Sequence, residues 1–501
     1  MAVLLGIDLG TTGAKVLALN EDGTVLAQHT EEYPLDMPRP GWAEQHPETW
    51  WDAVVKAIQN VTETEQVKSD EVRGLALSGQ MHGSVFLDEQ DEVIRPAILW
   101  CDTRTTEQCR QISEAVGEQR LYELVGNPAL EGFTAPKLLW LREYEPENYG
   151  RVKTMFLPKD YIVYRLTGRK GTEVSDAAGT ILFDVSNRRW SDELLRKLDL
   201  SRSILPEVLE SIDPVGELTE EAANRTGLPR STVVVAGGAD NACSAVGNGI
   251  VQEGLVSSSI GSSGVVLGHT DRPRHDPKGR LHSFNHSVPN RWYLMGVMLA
   301  AGLSLKWFRE QFAGETSYRH LDEEAAAVPV GSEGLLFLPY LNGERTPHRD
   351  GRARGVFFGL SPRHGRGHFV RAILEGVAFG LRDSLELLKA LGVQIEQVRI
   401  TGGGARSPLW RQIQADVFNT EVVTTGTDEG PAFGAALLAG VGTGVYRDVA
   451  EAVQETVKLA DRIEPIPKHV RIYDALYPVY RSLYPALKDA YQETFRIVTG
   501  G

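Results

Sequence analysis

The stretch "DLGTTGAKV", Asp8 to Val16, returns in altered form as "SIGSSGVVL", Ser259 to Leu267, and this repeat constrains the fold more than any other feature. In register, Gly10 falls on Gly261, Thr11 on Ser262, Thr12 on Ser263 and Gly13 on Gly264, each set between strand-like flanks. Self-similarity over that distance points to duplication of a whole supersecondary unit, so the chain should fold as two similar halves. A length of 501 residues independently asks for at least two domains. A boundary near residue 250, where "GNGIVQEG" separates the copies, divides the chain into 1–250 and 251–501.

Three strands, Val3 to Asp8, Ala14 to Asn20 and Thr24 to Thr30, are expected to open the chain as a meander, with "NEDG" as a hairpin turn. Pro47 stands where a first helical residue belongs, and Trp50, Trp51, Val54, Val55 and Ile58 follow at helical spacing. Strand-like and helix-like segments alternate afterwards, which places the protein in the α/β class. The repeat extends to "VVVAGGADN" (Val233 to Asn241) and "VRITGGGAR" (Val398 to Arg406), which read as equivalent strand–glycine–helix junctions. Near the end, Tyr473, Tyr480, Leu483, Leu487, Tyr491 and Phe495 recur near helical spacing, predicting a helix packed on the second domain or on a partner subunit.

Composition narrows the function classes. A formal net charge of −15 would repel a phosphate backbone, and no basic stripe with interleaved aromatics is present, so nucleic acid is not an expected partner. The three cysteines, Cys101, Cys109 and Cys243, show no CxxC spacing and read as thiols of a reducing compartment. "MAVLLGIDLG" reaches an aspartate and a glycine turn too soon for a signal peptide, and no apolar run approaches bilayer length. A cytoplasmic protein with a small polar substrate and no membrane partner is expected.

Several residue groups could carry chemistry. A tight turn with glycines at both ends and hydroxyls between exposes backbone N–H groups to a polyphosphate. Asp8 at its strand end suits a water-mediated divalent cation, and Lys15 can add a charge on the phosphates; a plain hairpin with Asp8 as turn cap fits the same residues. Asp240 and Asn241 open a small-residue helix, whose N-terminus favours an ionised carboxylate able to accept a proton; simple N-capping would also explain the aspartate. "GGGARS" in the presumed duplicate has no carboxylate there, which favours catalysis over capping. In "SGQMHGS", His82 could bond a hydroxylated ligand and Met81 lie against its apolar face, or both could fill core. "LWCDTRT" offers Trp100, Asp102 and Arg104 either as a sugar grip or as a buried ion pair. His282 and His286 have metal-compatible spacing but no third ligand nearby, so no metal site is assigned to them.

These motifs, with "FTAPKLLW", "LPKDY", "SDAAGT", "LPYLNGERTPH" and "GVFFGL", run along both halves, and the chain resembles the FGGY carbohydrate kinases throughout, most of all those acting on D-xylulose, for which "QMHG" is the pointer. The resemblance implies two duplicated actin-like, ribonuclease-H-like ATPase domains around a central cleft, using ATP and Mg2+ to convert D-xylulose to D-xylulose 5-phosphate. It implies Asp240 as general base and Asp8 as the carboxylate that organises magnesium. Met81, His82, Asp240 and Asn241 would contact the sugar; Thr12, Lys15 and Ser262 would face the phosphates, and Gly302 and Gly404 the adenosine. Lys306 falls on the nucleotide side without an assigned role, and a homodimer is compatible with the resemblance. Other ketoses or polyols are the alternative substrates, and an ATP-driven chaperone or a sugar sensor the alternative classes.

Overall fold

The computed structural model describes residues 2–426 and 429–499. The opening meander forms as β1 (Val3–Leu9), β2 (Gly13–Leu19) and β3 (Val25–Glu32), followed by α1 (Pro47–Thr62) with Pro47 in its first turn. The amphipathic spacing of α1 buries Trp50, Trp51, Val54 and Ile58 against this sheet. Four further elements complete the first layer: β4 (Val72–Gly79), α2 (Pro158–Thr167), β5 (Pro214–Glu217) and β6 (Val233–Ala239). The resulting six-stranded sheet has the order β5-β6-β4-β1-β2-β3, with β1, β4 and β6 parallel and the others antiparallel to their neighbours. After it comes the small-residue helix α3 (Asp240–Gly247).

The second half repeats this plan. Its strands are β7 (Gly254–Ile260), β8 (Gly264–Thr270), β9 (His282–Asn285), β10 (Trp292–Met298), β11 (Ile395–Thr401), β12 (Glu421–Thr425) and β13 (Leu459–Ile463). They form a seven-stranded sheet in the order β9-β10-β8-β7-β11-β12-β13. Its helices are α4 (Gly302–Phe308), α5 (Arg366–Ala390), α6 (Pro408–Phe418), α7 (Gly430–Gly442) and the terminal α8 (Pro467–Thr499), whose Tyr473 and Tyr480 are buried in the second-half core. Strand for strand, β1, β2, β3, β4 and β6 match β7, β8, β10, β11 and β12.

That order corrects one reading of the repeat. β11 pairs with β7 in parallel, as β4 pairs with β1, so "VRITGGGAR" is the counterpart of "LALSGQMHG". The counterpart of "VVVAGGADN" is β12 and the entry to α7, where Asp428, outside the described residues, and Glu429 stand before the helix. The duplicate therefore does carry acid at this junction, and the comparison with "GGGARS" says nothing about Asp240. Two strands ending in glycine look alike in sequence; only their sheet neighbours distinguish them.

The halves meet through their small helices. A Cβ on Gly434 of α7 would lie 1.9 Å from the Cys243 carbonyl oxygen of α3, and one on Gly247 would lie 2.2 Å from that of Gly430. Bare glycine at both crossing points lets the two backbones touch. α7 also lies on β1, whose Gly6 would place a Cβ 1.9 Å from the Ala432 carbonyl oxygen.

Candidate active site

The two glycine turns differ by one residue. Gly10 N–H closes onto the Gly13 carbonyl, whereas Gly261 N–H closes onto that of Ser263, each at 3.0 Å. The second turn also anchors α4: the Gly261 and Ser262 carbonyls accept from Gly302 N–H and Ala301 N–H, both at 2.9 Å, which fixes where that helix starts. A Cβ on Gly302 would sit 2.4 Å from the Gly261 oxygen, so this contact admits only glycine.

Two cavities flank this turn. The larger, about 860 Å³, is a mainly apolar slot bordered by Ser262, Gly302, Lys306, Gly404, Leu409 and Trp410. Its predicted members Ser262, Gly302 and Gly404 are thus together, and Lys306, whose role the sequence left open, borders it as well. The smaller cavity, about 300 Å³, takes in Met81, His82, Asp240 and Asn241, the four predicted sugar contacts, beside Ser263. Adjacent serines of one turn therefore face two different chambers.

Asp240 sits where β6 breaks into α3. The strand slips register between Val235 and Gly238, and Gly237, at φ +73°, could not carry a Cβ without striking the Leu77 carbonyl oxygen at 1.9 Å. Beneath it, Ala239 N–H donates to Ser175 Oγ at 2.9 Å, and that hydroxyl donates on to the buried Glu173 carboxylate. The Asp240 carboxylate accepts from Asn241 N–H at 2.6 Å and Asn241 Nδ2 at 2.8 Å. Burial, and then the charge of Asp8, push its carboxyl up to about 7. Asp8 is itself held above the usual carboxylate range by burial, against the opposing pull of Ser78 and Lys15.

His82 adopts φ +71°, and its Nδ1–H donates to the Gly179 carbonyl at 2.7 Å. That bond leaves Nε2 as an acceptor, and burial drives the imidazole down to about 3, so it stays neutral. The loop is pinned by Lys137, fully buried, which donates to the carbonyls of His82 at 2.8 Å and Gly132 at 2.5 Å. Burial brings the Lys137 ammonium down to about 7. Asn241 Nδ2 also reaches Met81 Sδ at 3.7 Å.

Other predicted residues are placed differently. Lys15 ion-pairs with Glu429 of the opposite half, and neither it nor the exposed Thr12 borders either cavity. Thr11 is the tied threonine: its Oγ1 accepts from Trp100 Nε1 at 2.9 Å. "LWCDTRT" divides its two readings, since Trp100 lines the smaller cavity while Asp102 and Arg104 form a buried pair at 2.6 Å, with Arg104 over Trp42. His282 and His286 part company as well: His282 lines the smaller cavity with Nδ1–H on Asn127 Oδ1, whereas His286 bonds the Ile250 carbonyl. Sequence reasoning missed Phe133, Phe284 and Arg345 as cavity residues. The only signal for them was their presence in or near the quoted motifs.

Among the described residues, no helix is long and apolar enough to cross a membrane. Models of the FGGY family of carbohydrate kinases match twice, the N-terminal domain over residues 3–247 and the C-terminal domain over 256–443. A xylulose kinase of Bacillus subtilis (strain 168) is 42% identical over 489 residues, 98% of each chain. One from Lactococcus lactis subsp. lactis (strain IL1403) is 44% identical over 97% of each chain. The crystal structure of a xylulose kinase from Rhodospirillum rubrum superposes with a TM-score of 0.92 at 31% identity, covering 98% of this chain and all of that one. With both family domains matched in order across the two halves, the chain belongs to the FGGY family of carbohydrate kinases.

Proposed function

We propose that the protein transfers the γ-phosphoryl group of ATP to the 5-hydroxyl of D-xylulose, giving D-xylulose 5-phosphate. Phosphorylation of a sugar by ATP follows from family membership; the particular sugar is our reading. One observation carries it: Asp240 lies in a sugar-sized cavity with Met81, His82 and Asn241, separated from a nucleoside-sized cavity by a single serine turn. Relatives that share about two residues in five with this chain are xylulose kinases.

In this mechanism Asp240 accepts the proton of the attacking hydroxyl. A carboxyl near 7 is matched to that task, being partly ionised at neutral pH yet basic enough to take a proton. Phosphoryl transfer passes through a loose transition state, so alignment and charge neutralisation supply most of the rate. His82 Nε2 and the Asn241 amide oxygen orient the sugar, and the turn from Gly261 to Ser263 lies on the route between the chambers. Halves 1–250 and 251–501 act as jaws that exclude competing water.

Magnesium fits the donors present. Among the described residues no group of three or more ligating side chains gathers, while Asp8 stands close enough to Asp240 to raise its carboxyl. A cation that keeps several waters and takes one or two carboxylates plus substrate phosphates suits such a set. When bound with the nucleotide, Mg2+ would offset charge on the transferring phosphoryl group. The free thiols support a reducing, cytoplasmic setting.

The test is Mg2+-dependent ADP release across D-xylulose, L-xylulose, D-ribulose, L-ribulose, glycerol, gluconate and no sugar. We expect the highest kcat/KM on D-xylulose. A stronger preference for any other member would overturn the substrate, and sugar-independent turnover would overturn the kinase reading.

A further inference from the structure

Among the described residues of the smaller cavity, Arg345 carries a charge with no evident use. It follows Glu344 in a loop lashed to β10: Thr346 N–H donates to the Val297 carbonyl, Val297 N–H to Thr346 Oγ1, both at 3.0 Å, and Thr346 Oγ1 to the Arg280 carbonyl at 2.8 Å. The loop is therefore a fixed platform, and from it Arg345 borders the smaller cavity. Its guanidinium makes no hydrogen bond or ion pair among the described residues. The neighbouring Glu344 carboxylate accepts instead from backbone, from Leu299 N–H at 3.1 Å and Arg345 N–H at 2.8 Å. Burial pushes that carboxyl up to about 8, which weakens its pull on the guanidinium, and Glu131 adds a smaller one.

The other polar groups of the cavity define what is missing. His82 and His282 each spend Nδ1–H on protein, on the Gly179 carbonyl and on Asn127 Oδ1, both at 2.7 Å, so each offers an Nε2 acceptor. The positive charge of Arg345 helps hold both imidazoles neutral, while Asp240 answers to burial and Asp8 instead. Trp100 Nε1 is committed to Thr11, and the Asn241 amide to Asp240 and Met81. A hydroxyl can satisfy the acceptors. A ligand oxygen without a hydrogen of its own needs a strong donor, and Arg345 supplies one.

This bears on an inherent problem of the proposed substrate, and the inference rests on that proposal. Ring closure of a 2-ketopentose adds O5 to the C2 carbonyl, which consumes the hydroxyl that is to be phosphorylated. Only the acyclic keto form has both a free O5 and a carbonyl oxygen. We propose that Arg345 donates its guanidinium N–H groups to the carbonyl oxygen of the acyclic ketose, making it the residue that selects open-chain ketoses over the corresponding polyols. With O5 on Asp240 and the carbonyl on Arg345, the first half supplies the base and the second half reads the opposite part of the carbon chain.

The experiment compares wild type, Arg345→Met and Arg345→Lys, using D-xylulose as substrate and the pentitol of the same configuration as a competitive inhibitor. Arg345→Met should lower kcat/KM for D-xylulose by about tenfold to a hundredfold, chiefly through KM, the loss expected for one charge-assisted hydrogen bond. The pentitol Ki should change less than threefold, and Arg345→Lys should recover part of the ketose preference. The unchanged Ki reports an intact cavity, so misfolding cannot imitate this result. Equal weakening of ketose and pentitol, or no effect on either, would overturn the assignment. So would a wild-type preference for gluconate that Arg345→Met abolishes, since the guanidinium would then serve a carboxylate. Failure of the parent reading is separate: it shows as wild type without ketose-dependent turnover, whereas a ketose-selective wild type with a silent Arg345→Met sinks this inference alone.

Discussion

Asp240→Asn should make the protein more stable and nearly inactive, and the two effects have one cause. In the folded chain the Asp240 carboxyl is raised from 3.8 to about 7, so the fold holds its proton more tightly than the unfolded chain does. For a group raised in this way, stability is highest below about pH 4, falls as pH rises towards 7, and then levels off. The full shift corresponds to about 4 kcal/mol against the ionised form. Because the carboxylate keeps a face open to the cavity, water returns part of that cost, and about 2 kcal/mol is the working figure. Asparagine keeps the shape and an oxygen for the two Asn241 donors but never ionises. Denaturant unfolding at pH 4 should show little difference between the two proteins, whereas at pH 8 the variant should gain about 2 kcal/mol. Sugar-dependent turnover should fall by about a hundredfold to ten-thousandfold with loss of the base. Equal stability at pH 8, or a gain that is the same at pH 4, would refute the buried-carboxylate argument. Retained turnover would remove Asp240 as base.

Three further outcomes rest on particular contacts. Log kcat/KM for the sugar should rise with unit slope up to about pH 7 and then flatten. Asn241→Ala, which deletes one of the two donors to the carboxylate, should move that bend upward by about one unit; an unmoved bend would mean another group titrates. Glu429→Gln frees Lys15 from its partner in the other half, so the KM for ATP should fall about twofold to fivefold if the ammonium serves the phosphates; a KM that stays or rises would deny it that part. Gly434→Ala forces a Cβ against the Cys243 backbone and should cost about 1–3 kcal/mol or more, seen as a lower melting temperature; an unchanged one would show that the α3–α7 crossing can open.

Much of this protein was legible in its sequence because local chemistry encodes it. The "GTTG" and "GSSG" turns, the Pro47 helix start and the glycine break before Asp240 each follow from backbone freedom or periodicity within about ten residues, and each formed where expected. Met81, His82, Asp240 and Asn241, which the family resemblance groups as sugar contacts, line one cavity. What the sequence could not settle was convergence. Which glycine-ended strand corresponds to which depends on parallel pairing with β1 or β7, a choice made by the order of the sheet, and it went to β11 and β4. The pairing of Lys15 with Glu429, and the meeting of Arg345 and His282 with His82, join residues 414, 263 and 200 positions apart. No short-range pattern reports such contacts, because they arise only when the two separately patterned halves pack together across α3 and α7.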